Sequence, residues 1–484
     1  MTFSTLPIIQ KEELLKRTTS RCPMCHAACP AEVWRVAGKP SKVFLKRACP
    51  THGEVSVCIA SDARFYWVAK GSSENGCCSG GDCCSPSGTT RSVLDLQLPQ
   101  GAAISVADNS VAGTLGRNAS GKGDGPFEKL STCLALIEIV NSCNLACPTC
   151  YADSPVGAGH KVDAVPLENL KQRIQGVIDR KGGIEILQLS GGEPTLHPQF
   201  FELVEWVQAH PAIDYLLLNT NGLRIAQDET FAAQLTEVAR RRRFQLYLQF
   251  DGTQLDGQHF LRGADLRSVR ERAIERCREM NLPITLAMTV TPENLPHLWE
   301  AIEFGLKYPH IRGISFQPVF NSGRIPDVTR ASSPVTALNT ADVILAAVEQ
   351  SQGKLRFEDF TPLPCGDPNC ATIGYLLKID GHIRSVSDFI DFTQVQGFLH
   401  DKVRYRLEDL MKCGCESEPL GDLLKQFELD ESHTFRLFIK PFMDAWTWDE
   451  DRIDRCCTHV IRPDGKLDSF CRYYSGFPDV RRAP

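Results

Sequence analysis

Short apolar runs alternate with amphipathic segments through the middle of the chain. Stretches such as PLENLKQRIQGVIDR and DLRSVRERAIERCREM have helical periodicity and separate six runs that are typical of strands. Six strand–helix units in succession predict an α/β fold, a partial (β/α)6 TIM-like barrel whose active site lies at the carboxyl ends of the strands. The six runs are LALIEIV (134–140), IEILQLS (184–190), YLLLNT (215–220), FQLYLQF (244–250), ITLAMTV (284–290) and GISFQPV (313–319).

Three cysteines follow the first of these runs. The sequence CNLACPTC places Cys143, Cys147 and Cys150 on one loop, with no fourth cysteine among them. A structural zinc site takes four protein ligands, and an electron-transfer [4Fe–4S] cluster takes four thiolates. Three thiolates would leave one iron of such a cluster with an open position, which indicates that another molecule binds there.

Two motifs together resemble the radical S-adenosylmethionine superfamily. They are the C-x3-C-x2-C loop after the first strand and SGGEPTLHP (190–198) after the second strand. The resemblance implies a [4Fe–4S] cluster held by Cys143, Cys147 and Cys150, with S-adenosylmethionine chelating the fourth iron. It also implies reductive cleavage of that cosubstrate to a 5′-deoxyadenosyl radical, which abstracts hydrogen from an unactivated carbon.

The same resemblance suggests cosubstrate contacts at three strand ends. Glycines allow close backbone approach, and a carboxylate can accept a hydrogen bond from the methionyl ammonium. For the polar residues after the third and sixth strands, a polar strand end without a ligand is an equal alternative. The candidate contacts are Gly191, Gly192, Glu193, Asn219, Asn221 and Gln317.

The first seventy residues read as a metal-binding module. CPMC contributes Cys22 and Cys25, two strand-like runs follow, and CPTH contributes Cys49 and His52. Two such ligand pairs joined by a hairpin are typical of a zinc ribbon or rubredoxin-like site holding mononuclear zinc or iron. A coincidental pair of cysteine turns is the alternative.

The distribution of the remaining cysteines indicates how the rest of the chain is divided into domains. Residues 71–130 form a Gly/Ser/Cys-rich linker or insertion, residues 131–350 the barrel, and residues 351–484 a separate domain with one or more auxiliary iron–sulfur clusters. Buried thiols without metal are the alternative for that last domain. Its proposed ligands are Cys365, Cys370, Cys456, Cys457 and Cys471, whereas the linker cysteines Cys77, Cys78, Cys83 and Cys84 have no assigned role.

Further stretches resemble one subgroup, the archaeal tetraether lipid synthases and the pterin C-methylating radical enzymes. These stretches are TCLALIE, the amino-terminal cysteine module, and RCCTH with the residues that follow it. The first hypothesis is therefore carbon–carbon bond formation on a lipid or other largely apolar substrate, and the second is radical methyl transfer to a pterin-like heterocycle. An iron–sulfur electron carrier or redox sensor is a third, non-enzymatic hypothesis, but it leaves GGEP unexplained.

The net charge and the hydropathy of the chain limit which binding partners and which cellular compartment we expect. A formal net charge of −6 gives no reason to expect nucleic acid, and no apolar run approaches the ~20 residues that span a bilayer. The start of the chain lacks the basic-then-apolar order of a secretory signal, so a disulfide framework is disfavoured and a cytoplasmic location is expected. Besides a small-molecule or lipid substrate, we expect a low-potential electron donor of the flavodoxin or ferredoxin type and at most a peripheral membrane contact.

Overall fold

The computed structural model describes most, but not all, of the chain. The predicted linker, with its four cysteines, lies outside the described residues, and so does Cys365. The described residues are 12–67, 132–157, 159–241, 243–325, 337–363, 366–379, 382–388 and 433–477.

The amino-terminal module is an antiparallel sheet with its four strands in chain order. Sequence reasoning anticipated parts of the two middle strands only. The first strand was missed because ten mostly polar residues give it no clear apolar alternation, and only Ser20 in it is fully buried. The strands are β1 (Glu12–Arg21), β2 (Ala28–Val36), β3 (Lys42–Cys49) and β4 (Gly53–Ala60).

Six parallel strands form the centre of the molecule, each paired with its neighbours in chain order. All six predicted runs are strands, and their bounds differ from the prediction by at most two residues. The strands are β5 (Leu134–Val140), β6 (Ile184–Gly191), β7 (Ile213–Thr220), β8 (Phe244–Gln249), β9 (Ile284–Val290) and β10 (Ile311–Pro318). The prediction of a partial barrel is confirmed.

Amphipathic helices connect these strands and bury their apolar stripes against one face of the sheet. The first helix buries Leu170, Ile174 and Val177 and ends at Gly182, whose φ of 93° suits a left-handed cap. Among the described residues, no helix combines the length and apolarity needed to cross a membrane. The helices up to residue 350 are α1 (Leu167–Lys181), α2 (Phe200–Ala209), α3 (Leu223–Gln227), α4 (Glu229–Ala239), α5 (Leu255–Arg262), α6 (Arg267–Glu279), α7 (Leu298–Leu306) and α8 (Thr340–Gln350).

The carboxyl-terminal region extends the same sheet at both of its edges. Its elements are β11 (Thr361–Pro362), β12 (Thr372–Ile379), β13 (His382–Ser385), β14 (Thr434–Ile439), α9 (Glu450–Asp454), β15 (Thr458–Ile461), β16 (Leu467–Ser469) and α10 (Phe470–Tyr474). Strand β14 pairs in parallel with β10, and β15 pairs in parallel with β5.

This arrangement differs from the separate domain expected after residue 350. The described strands form one twelve-stranded sheet in the order β11-β12-β14-β10-β9-β8-β7-β6-β5-β15-β16, with β13 paired to β12. The physical reason is that an open sheet leaves unpaired N–H and C=O groups along both outer strands, and pairing with the tail satisfies them. The boundary at residues 350 and 351 stays a prediction.

Removing the Phe435 ring tests how strongly the tail strand is packed. Phe435 is fully buried on β14, and its ring lies so close to Gly305 of α7 that a Cβ there would be 2.8 Å away. Phe435→Ala should lower the free energy of unfolding by about 3–5 kcal/mol, since it leaves a cavity. Chemical denaturation measures the change, with Leu255→Ala, at a 37% exposed position, as a control that should cost no more than about 0.5 kcal/mol.

Candidate functional site

The loop that carries the three cysteines is held by its own backbone and by the segment after β10. The Cys143 N–H donates to the Pro155 carbonyl, and the Gly157 N–H donates to the Cys143 carbonyl, both at 2.9 Å. Cys150 and Arg324 exchange two backbone hydrogen bonds of 2.9 Å, and Arg324 Nε also donates to the Cys147 carbonyl at 2.9 Å. The loop is therefore clamped from the far side of the barrel as well as at its own ends.

The two predicted glycines lie where the end of β6 meets the end of β5 and the start of the loop. Gly191 has a φ of 120°, and a Cβ there would lie 2.1 Å from the Val140 carbonyl oxygen. A Cβ at Gly192 would lie 2.0 Å from the Ser142 carbonyl oxygen. Glycine is required here because two backbone segments of the protein touch, a reason that does not depend on a ligand.

Glu193 connects three segments of the site. Its carboxylate accepts hydrogen bonds from Thr195 Oγ1 at 2.7 Å, from Thr220 Oγ1 at 2.7 Å and from the Asn221 N–H at 2.8 Å. Burial raises the pKa of Glu193 even though these donors favour its charged form. Most of its accepting capacity is therefore used within the protein, and Oε2, which accepts from the Asn221 N–H, has room for another donor.

The three predicted amides also reach the cysteine loop or its surroundings. Asn221 Nδ2 lies 3.8 Å from Cys143 Sγ and donates to Asn144 Oδ1 at 2.6 Å. Asn219 donates to Ser190 Oγ at 3.2 Å, and Gln317 donates to the Tyr247 hydroxyl at 2.7 Å. Among the described residues, Asn221 is thus the only one of these three amides that donates a hydrogen bond to a cysteine of the loop.

A cavity of about 260 Å³ lies along the inner face of the sheet. Successive side chains of each strand point to opposite faces of the sheet, and this alternation leaves one face to line the cavity. In β7, Leu216 and Leu218 point into the helix-covered core, whereas Leu217 and Asn219 face the cavity. All the predicted cosubstrate contacts and the three loop cysteines line it. Its aromatic lining is Tyr151, Tyr247, Phe320, Phe438, Phe442 and Phe470, and its amide lining is Gln188, Asn219, Asn221, Gln249 and Gln317.

Sequence reasoning missed Arg262, which lines the cavity beside the cysteine loop. Its Nε and Nη2 donate to the two oxygens of Asp251, at 2.6 and 2.9 Å. Burial works against the charge, but Asp251 and then Cys147 raise the pKa of Arg262 above its ordinary value. The residue fixes a positive charge next to the thiol of Cys147, one of the three predicted cluster ligands. The available signal was the polar pair Asp251-Gly252 at the carboxyl end of the fourth strand.

The amino-terminal module brings its predicted ligands together. The sulfurs of Cys22, Cys25 and Cys49 and a ring nitrogen of His52 lie within 4.8 Å of one another, and the Cys25–Cys49 sulfur distance is 3.8 Å. Ligands about 2.3 Å from one tetrahedral zinc are separated by about 3.8 Å. Backbone N–H groups, first that of Thr51, lower the pKa of Cys49 to about 6. Elsewhere in the described residues, no three His, Cys, Asp or Glu side chains are so closely grouped.

Two family models match these two regions. Residues 137–305 match the Radical SAM superfamily, and residues 14–61 match the HMPTM N-terminal zinc ribbon domain. The chain contains a radical S-adenosylmethionine domain. The predictions of this superfamily, of an enzyme and of a zinc-ribbon-like module are confirmed, and the family's cofactors are a [4Fe–4S] cluster and S-adenosylmethionine.

Relatives of this radical S-adenosylmethionine enzyme include proteins of defined activity. The 7,8-dihydro-6-hydroxymethylpterin dimethyltransferase of Methanocaldococcus jannaschii is 24% identical over 518 residues, covering 95% of this chain and 93% of the relative. The GTP 3′,8-cyclase of Syntrophomonas wolfei is 24% identical over 298 residues, covering 59% of this chain and 86% of the relative. A solved structure, native anSMEcpe with bound AdoMet, shares 18% identity and covers 58% of this chain and 86% of its own, with a TM-score of 0.35.

The loop of the radical S-adenosylmethionine enzyme fits the cluster that the family uses. Burial, and then Glu193, raise the pKa of Cys143 to about 12, so a free thiolate would be unfavourable there. A bound metal supplies the compensating positive charge and deprotonates the thiol. Cys143, Cys147 and Cys150 as the three ligands, and the strand-end residues as cosubstrate contacts, stay predictions.

Four of the five predicted auxiliary ligands lie in the described residues, where three chain segments bring them near one another. Burial, and then Cys370, raise the pKa of Cys456 to about 12, while burial and then Cys456 raise that of Cys471 to about 12. Arg452 Nη2 lies 4.0 Å from Cys370 Sγ. No three of these thiols are grouped as closely as the ribbon ligands in the described residues, so a second metal–sulfur site beside the Arg452 guanidinium stays a prediction.

Cys133 is a further cysteine of this region that sequence reasoning did not select. It lines the cavity together with Cys370 and Cys457, and its N–H donates to the Cys457 carbonyl at 2.9 Å. Its position directly before the first barrel strand was the available signal. Three thiols of this region, Cys133, Cys370 and Cys457, therefore face the same cavity as the loop that carries Cys143, Cys147 and Cys150.

Replacing Gly192 tests the contact between strand end and loop. Gly192→Ala should reduce 5′-deoxyadenosine formation by on the order of 10²-fold, because the new methyl group must displace Ser142 and the cysteine loop that follows it. Gly176→Ala is the matched control, since the nearest atom to its added Cβ is the mobile end of Arg180 at 3.2 Å. Equal activity of the two variants would contradict the role given to Gly192.

Replacing the tail cysteines tests the second metal–sulfur site. Cys370→Ala and Cys471→Ala should each lower the bound iron and sulfide by about one cluster, since a cubane needs all its ligands. Cys277→Ala is the control, because that thiol is fully buried among apolar residues of α6 and the barrel core. Iron and sulfide analysis makes the measurement. Full iron content in both tail variants would mean that these cysteines are structural thiols.

Proposed function

We propose that this enzyme is a radical C-methyltransferase that acts on a pterin-like heterocycle. The observation that carries the proposal is the similarity to the pterin dimethyltransferase, which extends over 95% of this chain and 93% of the relative. That similarity spans the ribbon, the barrel and the tail, whereas the GTP cyclase similarity covers 59% of this chain. The match of residues 14–61 to the HMPTM N-terminal zinc ribbon domain supports the same subgroup.

The lining of the cavity supports a flat, polar ring as the substrate. Amides of Gln188, Gln249 and Gln317 come from three different barrel strands and offer both donors and acceptors. Aromatic rings of Tyr151 and Tyr247 lie among them and can pack against a planar molecule. A few placed polar groups within a largely aromatic and apolar pocket are typical of a small-molecule site.

Lipid coupling, the first hypothesis from the sequence, is supported less well than methyl transfer. Long alkyl chains carry no hydrogen-bonding groups, so amides buried against them would lose their partners in water without replacement. The relative that aligns with nearly the whole of this chain is named for a pterin substrate, not for a lipid. The comparison therefore favours the second hypothesis.

Each part of the site would then have a defined task. The [4Fe–4S] cluster and S-adenosylmethionine together supply the radical that activates the substrate carbon. The protein holds the loop thiols in place, keeps the Arg262 charge beside Cys147, and encloses the substrate so that water is excluded. Reductive cleavage consumes an electron, so a low-potential donor of the flavodoxin or ferredoxin type is the proposed redox partner.

Product analysis under anaerobic conditions tests this function. The reduced enzyme is incubated with methyl-deuterated S-adenosylmethionine and either 7,8-dihydro-6-hydroxymethylpterin or an isoprenoid lipid, and each product is resolved by mass spectrometry. We expect a pterin heavier by one methyl-derived group, with 5′-deoxyadenosine and S-adenosylhomocysteine formed alongside it. The Cys143→Ala variant should form none of these.

The other outcomes separate the hypotheses. A coupled lipid formed with 5′-deoxyadenosine alone would replace methyl transfer by lipid coupling. Formation of 5′-deoxyadenosine with neither substrate altered would show that radical chemistry is intact and that the proposed substrate class is wrong.

A further inference from the structure

Gln249 is an amide of the cavity wall that contacts a buried cation. It is the last residue of β8, and its side chain lines the cavity. Its Oε1 accepts a hydrogen bond from Arg270 Nη2 at 2.5 Å, and Arg270 is only 1% exposed. Among the described residues, no protein group accepts a hydrogen bond from Gln249 Nε2. The donor end of this amide is therefore available to a molecule in the cavity.

Arg270 is itself held in place from two sides. It lies on α6, one turn before the fully buried residues Ala273 and Ile274, and its Nη1 donates to the Asn221 carbonyl. Burial lowers the pKa of Arg270 to about 10, and the nearby Asp251 carboxylate opposes this shift. The guanidinium therefore stays protonated at neutral pH and remains a hydrogen-bond donor.

The chemistry of a guanidinium fixes which end of the Gln249 amide faces it. Arginine donates hydrogen bonds but cannot accept them. If the amide turned by 180°, its NH2 group would face the Arg270 donor, and two buried donors would lose their partners. Gln317 is not constrained in this way, since its Nε2 donates to the Tyr247 hydroxyl at 2.7 Å and a hydroxyl can donate or accept. Of these two amides, only Gln249 presents a donor that the protein itself dictates.

We propose that Gln249 is a specificity-determining residue, and that Arg270 is the positioning residue that turns its NH2 group toward the cavity to select a substrate with a hydrogen-bond acceptor at this edge. The inference rests on the proposed function and deepens it. A dihydropterin carries two adjacent acceptors on one edge, the C4 carbonyl oxygen and the ring nitrogen N5, and this edge faces Gln249. A compound with a donor in the same place would set two donors against each other, which leaves both without a partner.

Two compounds that differ at this edge test the selection. They are 7,8-dihydro-6-hydroxymethylpterin, which has an oxo group at C4, and its 4-amino analogue, in which an NH2 group replaces that acceptor. Equilibrium dialysis measures the binding of each to the full-length enzyme, loaded with its cluster and saturated with S-adenosylmethionine. The cluster is left oxidised so that no turnover occurs. The quantity compared between variants is the ratio of the two dissociation constants.

The expected ratios follow from which end of the amide meets the ligand. We expect the wild-type enzyme to bind the oxo compound about 10²-fold more tightly than the amino compound. Arg270→Met frees the Gln249 amide to turn, so this preference should fall below about tenfold, and Arg270→Lys, which keeps a charged donor, should restore part of it. Gln249→Glu presents acceptors only and should favour the amino compound.

Two control variants separate this selection from a general loss of structure. Arg276 lies on the same helix and donates to the Ile225 carbonyl at 2.9 Å, but it does not line the cavity. Gln245 lies four residues before Gln249 on the same face of β8 and donates to Thr285 Oγ1 at 2.6 Å, also away from the cavity lining. Arg276→Met and Gln245→Glu should keep the wild-type ratio, because a general loosening weakens the binding of both compounds alike.

Gln249→Glu keeps the test decisive if Arg270→Met fails to fold. An unchanged ratio in Gln249→Glu, or an equal change in the control variants, would overturn this inference. If the wild-type enzyme still bound and methylated the oxo compound, the proposed function would stand without it. A wild-type enzyme that bound neither compound would overturn both.

Discussion

Backbone hydrogen bonding at the two edges of the parallel sheet determines where the rest of the chain lies. Strand β14 completes the edge at β10, and β15 completes the edge at β5. The eighteen residues between these two strands, 440–457, therefore have to cross the opening of the partial barrel. Lys440 Nζ and Thr458 Oγ1, one beyond the end of β14 and one at the start of β15, lie 2.9 Å apart across that opening. An edge that lacked its tail strand would expose both its own polar groups and the cavity.

That crossing explains why all the chemically active residues face one cavity. The loop with the three cysteines follows β5, and the predicted amide contacts lie at the ends of β7 and β10. The tail brings Cys370 and Cys457 to the same cavity. The same tail segment carries Trp446, whose carbonyl accepts a hydrogen bond from Arg47 of the metal-binding module, and Asp444, which accepts one from the Asn321 N–H. Cluster loop, cavity wall and metal module thus depend on one short stretch of chain.

Local patterns were sufficient to predict the six barrel strands, because each is a short apolar run bounded by polar residues and followed by helical periodicity. The loop cysteines and the ribbon ligands were also recognisable, since metal coordination demands fixed residue types at short spacings. Pairing of β14 and β15 with the barrel edges was not predictable, because strands of four to six residues carry no information about partners that lie about 120 and about 320 residues away. Arg262 and Cys133 were missed for the same reason, since the role of each depends on neighbours that are distant in sequence.

Glycine at positions 191 and 192 shows how a motif can have two origins. The resemblance to the family suggested that these glycines admit a cosubstrate, whereas the structure gives them a close contact between two strand ends of the protein itself. Glu193 likewise joins Thr195, Thr220 and Asn221. The motif builds the site before it binds anything.

Direct contact between the cosubstrate and the cluster is the central claim, and electron–nuclear double resonance tests it most directly. The reduced enzyme would be studied with S-adenosylmethionine carrying a ¹⁵N-labelled amine. Our account predicts a nitrogen hyperfine coupling to the cluster that is present in the wild-type enzyme and absent in Cys147→Ala. A reduced cluster that shows no coupling to the labelled amine under saturating cosubstrate would contradict it.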